Sequence, residues 1–221
     1  MERLEIWPVF GLKVSTPRLT LRPVDPELAY DLANLAAQGI HDPAVMPFYN
    51  AWTDVPSPEL ERGTIRHFFR LWAAMEPDHW DLPLAVFEGE TLVGVQALES
   101  HDFPALRNFS TGSWLGRRFQ GRGIGKEMRA AALHLGFAGL GAVRANTDAY
   151  TDNPSSQGVT RALGYRPNGS RWELSRGKPA EYLRFTLERA DWEARRRDDI
   201  TIEGLGDELL AFLGLAAQPV E

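Results

Sequence analysis

Three glycines at alternate positions, Gly121, Gly123 and Gly125, lie in the segment Gln120-Gly121-Arg122-Gly123-Ile124-Gly125, with Arg117, Arg118, Arg122 and Lys126 around them. Residues without Cβ atoms can turn several backbone N–H groups toward one point, and a helix starting there adds unpaired donors and a partial positive charge. The chemistry is that of an anion site. Phosphate is its natural guest, and some of the four cations should reach phosphate oxygens. A nucleoside-triphosphate loop needs a glycine where Gln120 stands and Ser or Thr where Glu127 stands. A dinucleotide fingerprint counted from Gly121 ends on Lys126 instead of glycine. Both readings fail, leaving another phosphate-bearing ligand or a bare glycine turn.

The elements that must position this loop follow from periodicity. Leu19 and Leu21 alternate with Arg18, Thr20 and Arg22, which predicts a short half-buried strand. Helical spacing appears from Pro26 (Leu28, Leu32, Leu35) and again from about Pro58 (Ile65, Phe68, Trp72, Met75). Between these helices, 39–57 is a long segment rich in Pro and aromatics, either a binding loop or a packed connector. Leu84 to Phe87 and Leu92 to Leu98 predict a hairpin across Glu88-Gly89-Glu90, and Phe109 to Leu115 a third strand. The glycine loop then opens a helix with Met128, Ala131, Ala132 and Leu135 on one face. Val143 to Thr147 is a strand, Asn153 to Leu163 a helix, and Arg171 to Ser175 with Tyr182 to Leu187 a closing hairpin. The order is strand, two helices, three strands, helix, strand, helix, two strands.

The whole chain bounds the function. At 221 residues, 43% hydrophobic and 24% charged, it is long enough for one substantial core. The net charge of −6 and the scattered basic residues give no nucleic-acid-binding face. The absence of cysteine removes disulfides, thiolate metal sites and a covalent cysteine intermediate. No pair of residues has metal-ligand spacing, so no metal is expected. The acidic, aromatic start is not a secretion signal and no run approaches a membrane span, so a soluble, cytoplasmic protein is expected. Residues 1–190 read as one domain. Residues 191–221, with Leu205, Leu209, Leu210, Phe212 and Leu213, read as an extension that packs on the domain or on a second subunit, making a homo-oligomer such as a dimer.

The segment Trp114-Leu115-Gly116-Arg117-Arg118-Phe119-Gln120-Gly121-Arg122-Gly123-Ile124-Gly125 resembles the (Gln/Arg)-x-x-Gly-x-(Gly/Ala) signature of GCN5-related N-acetyltransferases, the GNAT superfamily. Asp152-Asn153-Pro154-Ser155-Ser156, with Val159, Leu163, Gly164 and Tyr165, looks like the Asn-x-x-Ser…Leu-Gly-(Phe/Tyr) segment of its ribosomal-protein-acetylating branch. The resemblance covers about 16–189, and two motifs in the right element context are more specific than either alone. His41-Asp42-Pro43, Met46-Pro47-Phe48, Trp52-Thr53 and Leu92 to Leu98 look like an actinobacterial subgroup in which succinyl-CoA is a plausible donor beside acetyl-CoA.

The resemblance implies an α/β (α+β) fold, a central mixed, mostly antiparallel twisted sheet of about seven strands with flanking helices. It implies transfer of an acetyl or succinyl group from acyl-CoA to a primary amine through a ternary complex, on a small molecule, a protein N-terminus or a lysine. The alternative is a CoA-binding regulatory or interaction module without catalysis. The pantetheine arm would pair with the strand before the loop, near Trp114 and Leu115, and the pyrophosphate would lie on Arg117, Arg118, Phe119, Gln120, Gly121, Arg122, Gly123, Ile124, Gly125 and Lys126. Asn153 would meet the pantetheine arm or cap its helix. Many relatives have a tyrosine acid seven residues after that asparagine, where this chain has Thr160, so Ser156 is the candidate near the sulfur, or else satisfies local backbone. Glu99 and Asp102, just past Leu98, are candidate bases or solvated loop charges, with His41, His79 and His101 as alternatives. His41, Met46, Phe48, Trp52 and Gln96 are expected around the acceptor, though aromatics such as Phe48, Tyr49 and Trp52 also suit plain packing.

Overall fold

The computed structural model describes residues 2–215. Among them, nine strands form one sheet: β1 (Lys13–Ser15), β2 (Leu19–Pro23), β3 (His79–Glu88), β4 (Thr91–His101), β5 (Asn108–Leu115), β6 (Arg144–Tyr150), β7 (Arg166–Ser175), β8 (Lys178–Glu188) and β9 (Thr201–Glu203). The helices are α1 (Arg3–Ile6), α2 (Pro26–Ala37), α3 (Glu59–Ala73), α4 (Phe103–Leu106), α5 (Ile124–His134), α6 (Pro154–Ala162), α7 (Arg189–Glu193) and α8 (Asp207–Phe212). The spatial order is β7-β8-β6-β5-β4-β3-β2-β1-β9, and neighbours are antiparallel except β5 and β6, which are parallel. The mixed, mostly antiparallel sheet with flanking helices is the expected architecture. It has two strands more than the seven expected, because β1 and β9 are three residues each, too short to display alternation.

Local chemistry explains the borders. Asp25 caps α2 by accepting from the Leu28 N–H at 2.9 Å, Pro26 fits the first helical position, and Leu28, Leu32 and Leu35 are buried as their spacing requires. Helix α3 stops at Ala73, so Met75 is buried beyond its end.

The alternation of β5 separates the two faces of the sheet. Ser113 meets Arg129 of α5, so the odd-numbered side chains face that helix, and Phe109 lies against Gly136 just after it. Trp114 meets Trp52 on the opposite face, the side on which α3 sets His67 near Asp81. On the α5 side Leu82, Leu84, Leu98, Ile124, Leu135 and Phe137 are fully buried, and α2 and α3 contribute the buried Leu28, Leu32, Leu35 and Phe68.

The C-terminal segment adds to the same body. Strand β9 pairs with β1, Trp192 stacks on Phe137 at 5.0 Å, and Leu209 and Leu213 are buried. Residues 216–221 of the expected extension lie outside the described residues.

Candidate functional site

The site begins where two parallel strands separate. Pairing between β5 and β6 covers Asn108–Arg144, Phe109–Ala145 and Ser110–Asn146 and then ends, while β5 continues on β4 as far as Leu115 opposite Gly94. Threonines bridge the start of the fork: the Thr147 hydroxyl donates to the Thr111 carbonyl at 3.2 Å and the Thr111 hydroxyl to the Asn146 carbonyl at 3.5 Å. From Gly112 to Leu115, β5 therefore has no strand among the described residues on its β6 side, and an extended ligand arm can pair there as an added strand.

At the mouth of the fork the chain makes a one-turn helix (Arg117–Phe119) and the glycine loop, and α5 follows. Gly121 and Gly123 have φ of +72° and +80°, a left-handed geometry that side chains resist. The first main-chain bond of α5 runs from the Glu127 N–H to the Gly123 carbonyl at 3.2 Å, so the amides of Ile124, Gly125 and Lys126 precede the ladder and are available to an anion.

Side chains around the loop divide differently from the sequence expectation. Gln120 was expected at the cofactor, but its amide is spent on the protein, donating to the Ile40 carbonyl at 2.6 Å and the Leu115 carbonyl at 3.0 Å. It fixes the loop to the end of β5. Phe119 is buried beneath Arg118, whose guanidinium also binds Gln38 at 2.7 Å. Arg122 pairs with Glu88 at 2.7 Å, Arg117 lies 4.0 Å from Asp42, and Lys126 is exposed.

Sequence reasoning missed Arg18. It binds Glu127 at 2.6 Å and reaches the Arg122 carbonyl at 3.5 Å, which sets a cation beside Gly123. Burial acts to raise the Glu127 pKa, but bonds from Thr16 and Arg18 outweigh it and hold the carboxyl below its usual value. This network locks the first turn of α5 to the β1–β2 turn. Its partners are 109 and 111 residues apart, and no local pattern signals it.

Helix α6 forms the other wall. The Asn153 side chain accepts from the Ser156 N–H at 3.1 Å, so it is the helix cap, and that acceptor is not turned to a pantetheine arm. Ser156 is half-buried one turn in, with no protein partner for its hydroxyl among the described residues. Thr160 is fully buried, donates to the Ser156 carbonyl at 2.9 Å and accepts from Arg129 at 2.9 Å.

The opposite face carries the proton-transfer candidates. Glu99 pairs across β4 with Asp81 and Ser110, next to the last β5–β6 pair. It reaches solvent, yet burial raises its pKa, and the charges of Asp81 and Asp148 add to the shift. Asp81 and Asp148 are raised by burial too. Asp102 stands apart: it starts α4 with φ +54°, beyond the ladder, and its N–H donates to the Asp78 carbonyl. His79 and His101 face each other at that far end, with Nδ1 atoms 2.6 Å apart.

The 39–58 segment arches over this face. His41 joins Thr53 at 2.7 Å and meets the Phe48 ring at 5.6 Å; Phe48 meets Trp52 at 5.3 Å, and Trp52 meets Trp114 at 6.3 Å. Tyr49 approaches Tyr182, whose phenol is pushed up to about 12, mainly by burial. Asp54 closes the arch with two bonds to Arg176, at 2.6 and 2.7 Å, in the β7–β8 turn. Met46 is buried. Gln96 departs from its expected place at the acceptor: it is fully buried on the α5 side, opposite Ser113, with its amide donating to the Gly112 and Ala97 carbonyls.

The fold recurs in known proteins. Three solved structures are similar at the level of fold. A GCN5-related N-acetyltransferase from Brucella melitensis is 19% identical with a TM-score of 0.67, covering 83% of this chain and 81% of its own. The ribosomal L7/L12 alpha-N-protein acetyltransferase RimL, solved with coenzyme A, is 18% identical with a TM-score of 0.65, covering 78% and 95%. A protein from Vibrio cholerae described as a ribosomal-protein-serine acetyltransferase is 24% identical with a TM-score of 0.60, covering 80% and 97%. The model of the acetyltransferase (GNAT) domain matches residues 18–166, which include β2, the fork, the glycine loop and α6, and the chain therefore belongs to the GNAT acetyltransferase family.

Proposed function

We propose that this protein moves an acyl group, acetyl or succinyl, from acyl-CoA directly to a primary amine within a ternary complex. The observation that carries this reading is the β5–β6 fork opening onto the amides of the α5 N-terminus, with Glu99 on the face across β5. The pantetheine arm adds to β5 along Gly112–Leu115, and the pyrophosphate meets the amides of Ile124 to Lys126 with Arg18, Arg122 and Lys126 near it. The thioester then sits close to Trp114, within reach of an amine entering beneath the 39–58 arch.

Glu99 takes the proton of the incoming ammonium, directly or through water. Its raised pKa brings its basicity closer to that task. The amine lone pair attacks the carbonyl carbon, the C–S bond breaks with the thiolate accepting a hydrogen bond from the Ser156 hydroxyl, and the surplus proton left on the new amide nitrogen passes through solvent to the sulfur, giving the amide and CoA thiol. No acyl-enzyme forms. The second reading, a CoA-binding module without catalysis, has one observation in its favour: Thr160 occupies the position of the usual acid with its hydroxyl already engaged.

Calorimetric titration with CoA, acetyl-CoA and succinyl-CoA, on the wild type and on Gly123→Val, tests the cofactor reading. Binding weakened at least about thirtyfold in the variant is expected, because valine resists the left-handed φ and crowds the anion site. Equal binding by both proteins, or by neither, overturns it. Thiol release from the preferred thioester in the presence of amines separates the enzyme from the silent module. RimL and the Vibrio protein are described as acting on ribosomal proteins, so a protein N-terminus belongs among the amines tried beside lysine and small amines.

A further inference from the structure

Arg129 is 5% exposed, and none of the described carboxylates pairs with it. Its guanidinium donates to Thr160 Oγ1 at 2.9 Å and Ser113 Oγ at 3.3 Å, and its Nε has no partner among the described residues. An arginine cannot shed its proton to escape the interior. Tyr165, which shares its surroundings, is buried with its phenol pKa raised by that burial, so it supplies no compensating charge. A buried cation left uncompensated is expensive and calls for a reason.

The position supplies one. Ser113 is on β5 beyond the last β5–β6 pair, and Thr160 is bonded to the Ser156 carbonyl in α6, so the guanidinium joins the two walls that flank the fork. Acyl transfer creates one negative charge in that fork, first on the carbonyl oxygen and then on sulfur. A fixed cation in a poorly solvated wall acts on such a charge far more strongly than one in water.

We propose that Arg129 is a positioning residue of the transfer: it holds the Ser156 turn against β5, and its uncompensated charge stabilises the departing CoA thiolate. The inference rests on the acyl-CoA reading above. In this chain the charge enters from α5, behind β5, and the position of the usual acid, Thr160, serves as its tether.

The test measures the thiol pKa of bound CoA, from the pH dependence of thiolate absorbance or of alkylation by iodoacetamide, with binding checked by calorimetry at each pH. In the wild type the bound thiol should titrate about one unit or more below free CoA, a tenfold gain in thiolate. Arg129→Met should return it toward the free value, while Arg129→Lys, which keeps the charge and loses the fork of donors, should keep most of the depression. A wild-type thiol that titrates like free CoA overturns the proposal without any variant, which covers the case of a methionine variant that does not fold. A folded Arg129→Met protein that binds CoA and keeps the depressed pKa overturns it as well, since a purely structural role would leave the thiol unmoved. Failure of the wild type to bind CoA is a separate result, and it removes the acyl-CoA reading itself.

Discussion

Glu99 and Asp102 are three residues apart, yet they occupy different settings. Glu99 is in the ladder beside the fork, with its pKa raised, while Asp102 begins a short helix beyond the strand. Glu99→Gln should lower kcat roughly a hundredfold or more, the scale of a lost general base, with little change in CoA affinity. The pH dependence has a definite sign. A base works ionised, and a raised pKa moves the rising limb of kcat above the ordinary glutamate value of 4.5. Profiles recorded with two amines of different pKa should share that limb, and Glu99→Gln should lack it. A limb that follows the amine, or that survives in the variant, assigns the base elsewhere.

At the scale of elements, α5 governs the proposed site because it supplies the glycine turn at one end and Arg129 in its body. Its seat on β5 depends on Gly136, where an added Cβ would lie 2.2 Å from the Phe109 ring. Gly136→Ala should therefore cost about 1–3 kcal/mol of stability by overpacking, seen as a lower thermal midpoint. An unchanged midpoint would show that α5 shifts on the sheet without cost. The arch is the complementary element. Aromatic contacts join it to Trp114 and the Asp54–Arg176 pair joins it to the β7–β8 turn, so its wall runs from the interior strand β5 to the β7 edge of the sheet.

For the whole molecule, the C-terminal segment is part of the sheet and core. Deleting residues 200–221 would remove β9 and the buried Ile200, Leu209 and Leu213, a loss on the order of 5 kcal/mol from apolar burial alone. The truncated chain should unfold at clearly lower urea than the full one; equal midpoints would mean that the segment is dispensable. Light scattering on the full chain tests the proposed homo-oligomer, and a monomeric mass rejects it.

The sequence by itself determined seven of the nine described strands and helices α2, α3, α5 and α6 in their order, since the two-residue and 3.6-residue periods of Leu19–Leu21, Leu28–Leu35 and Met128–Leu135 are local properties of a chain that must bury one face of each element. It also located the glycine loop, because positive φ at Gly121 and Gly123 restricts the residue type. It could not say which side chains are spent on the fold. Gln120 and Gln96 looked like ligand contacts, but each binds main chain that only the folded chain brings within reach, and of the two readings that Asn153 carried the structure shows the helix cap. Tertiary structure alone decided the Arg18–Glu127 anchor, the turning of Glu99 toward the face that carries Trp114 and the burial of Arg129 without a counter-ion among the described residues. Those facts depend on pairings between residues far apart in the chain and on how much water their assembly excludes, and neither quantity has a local signature in sequence.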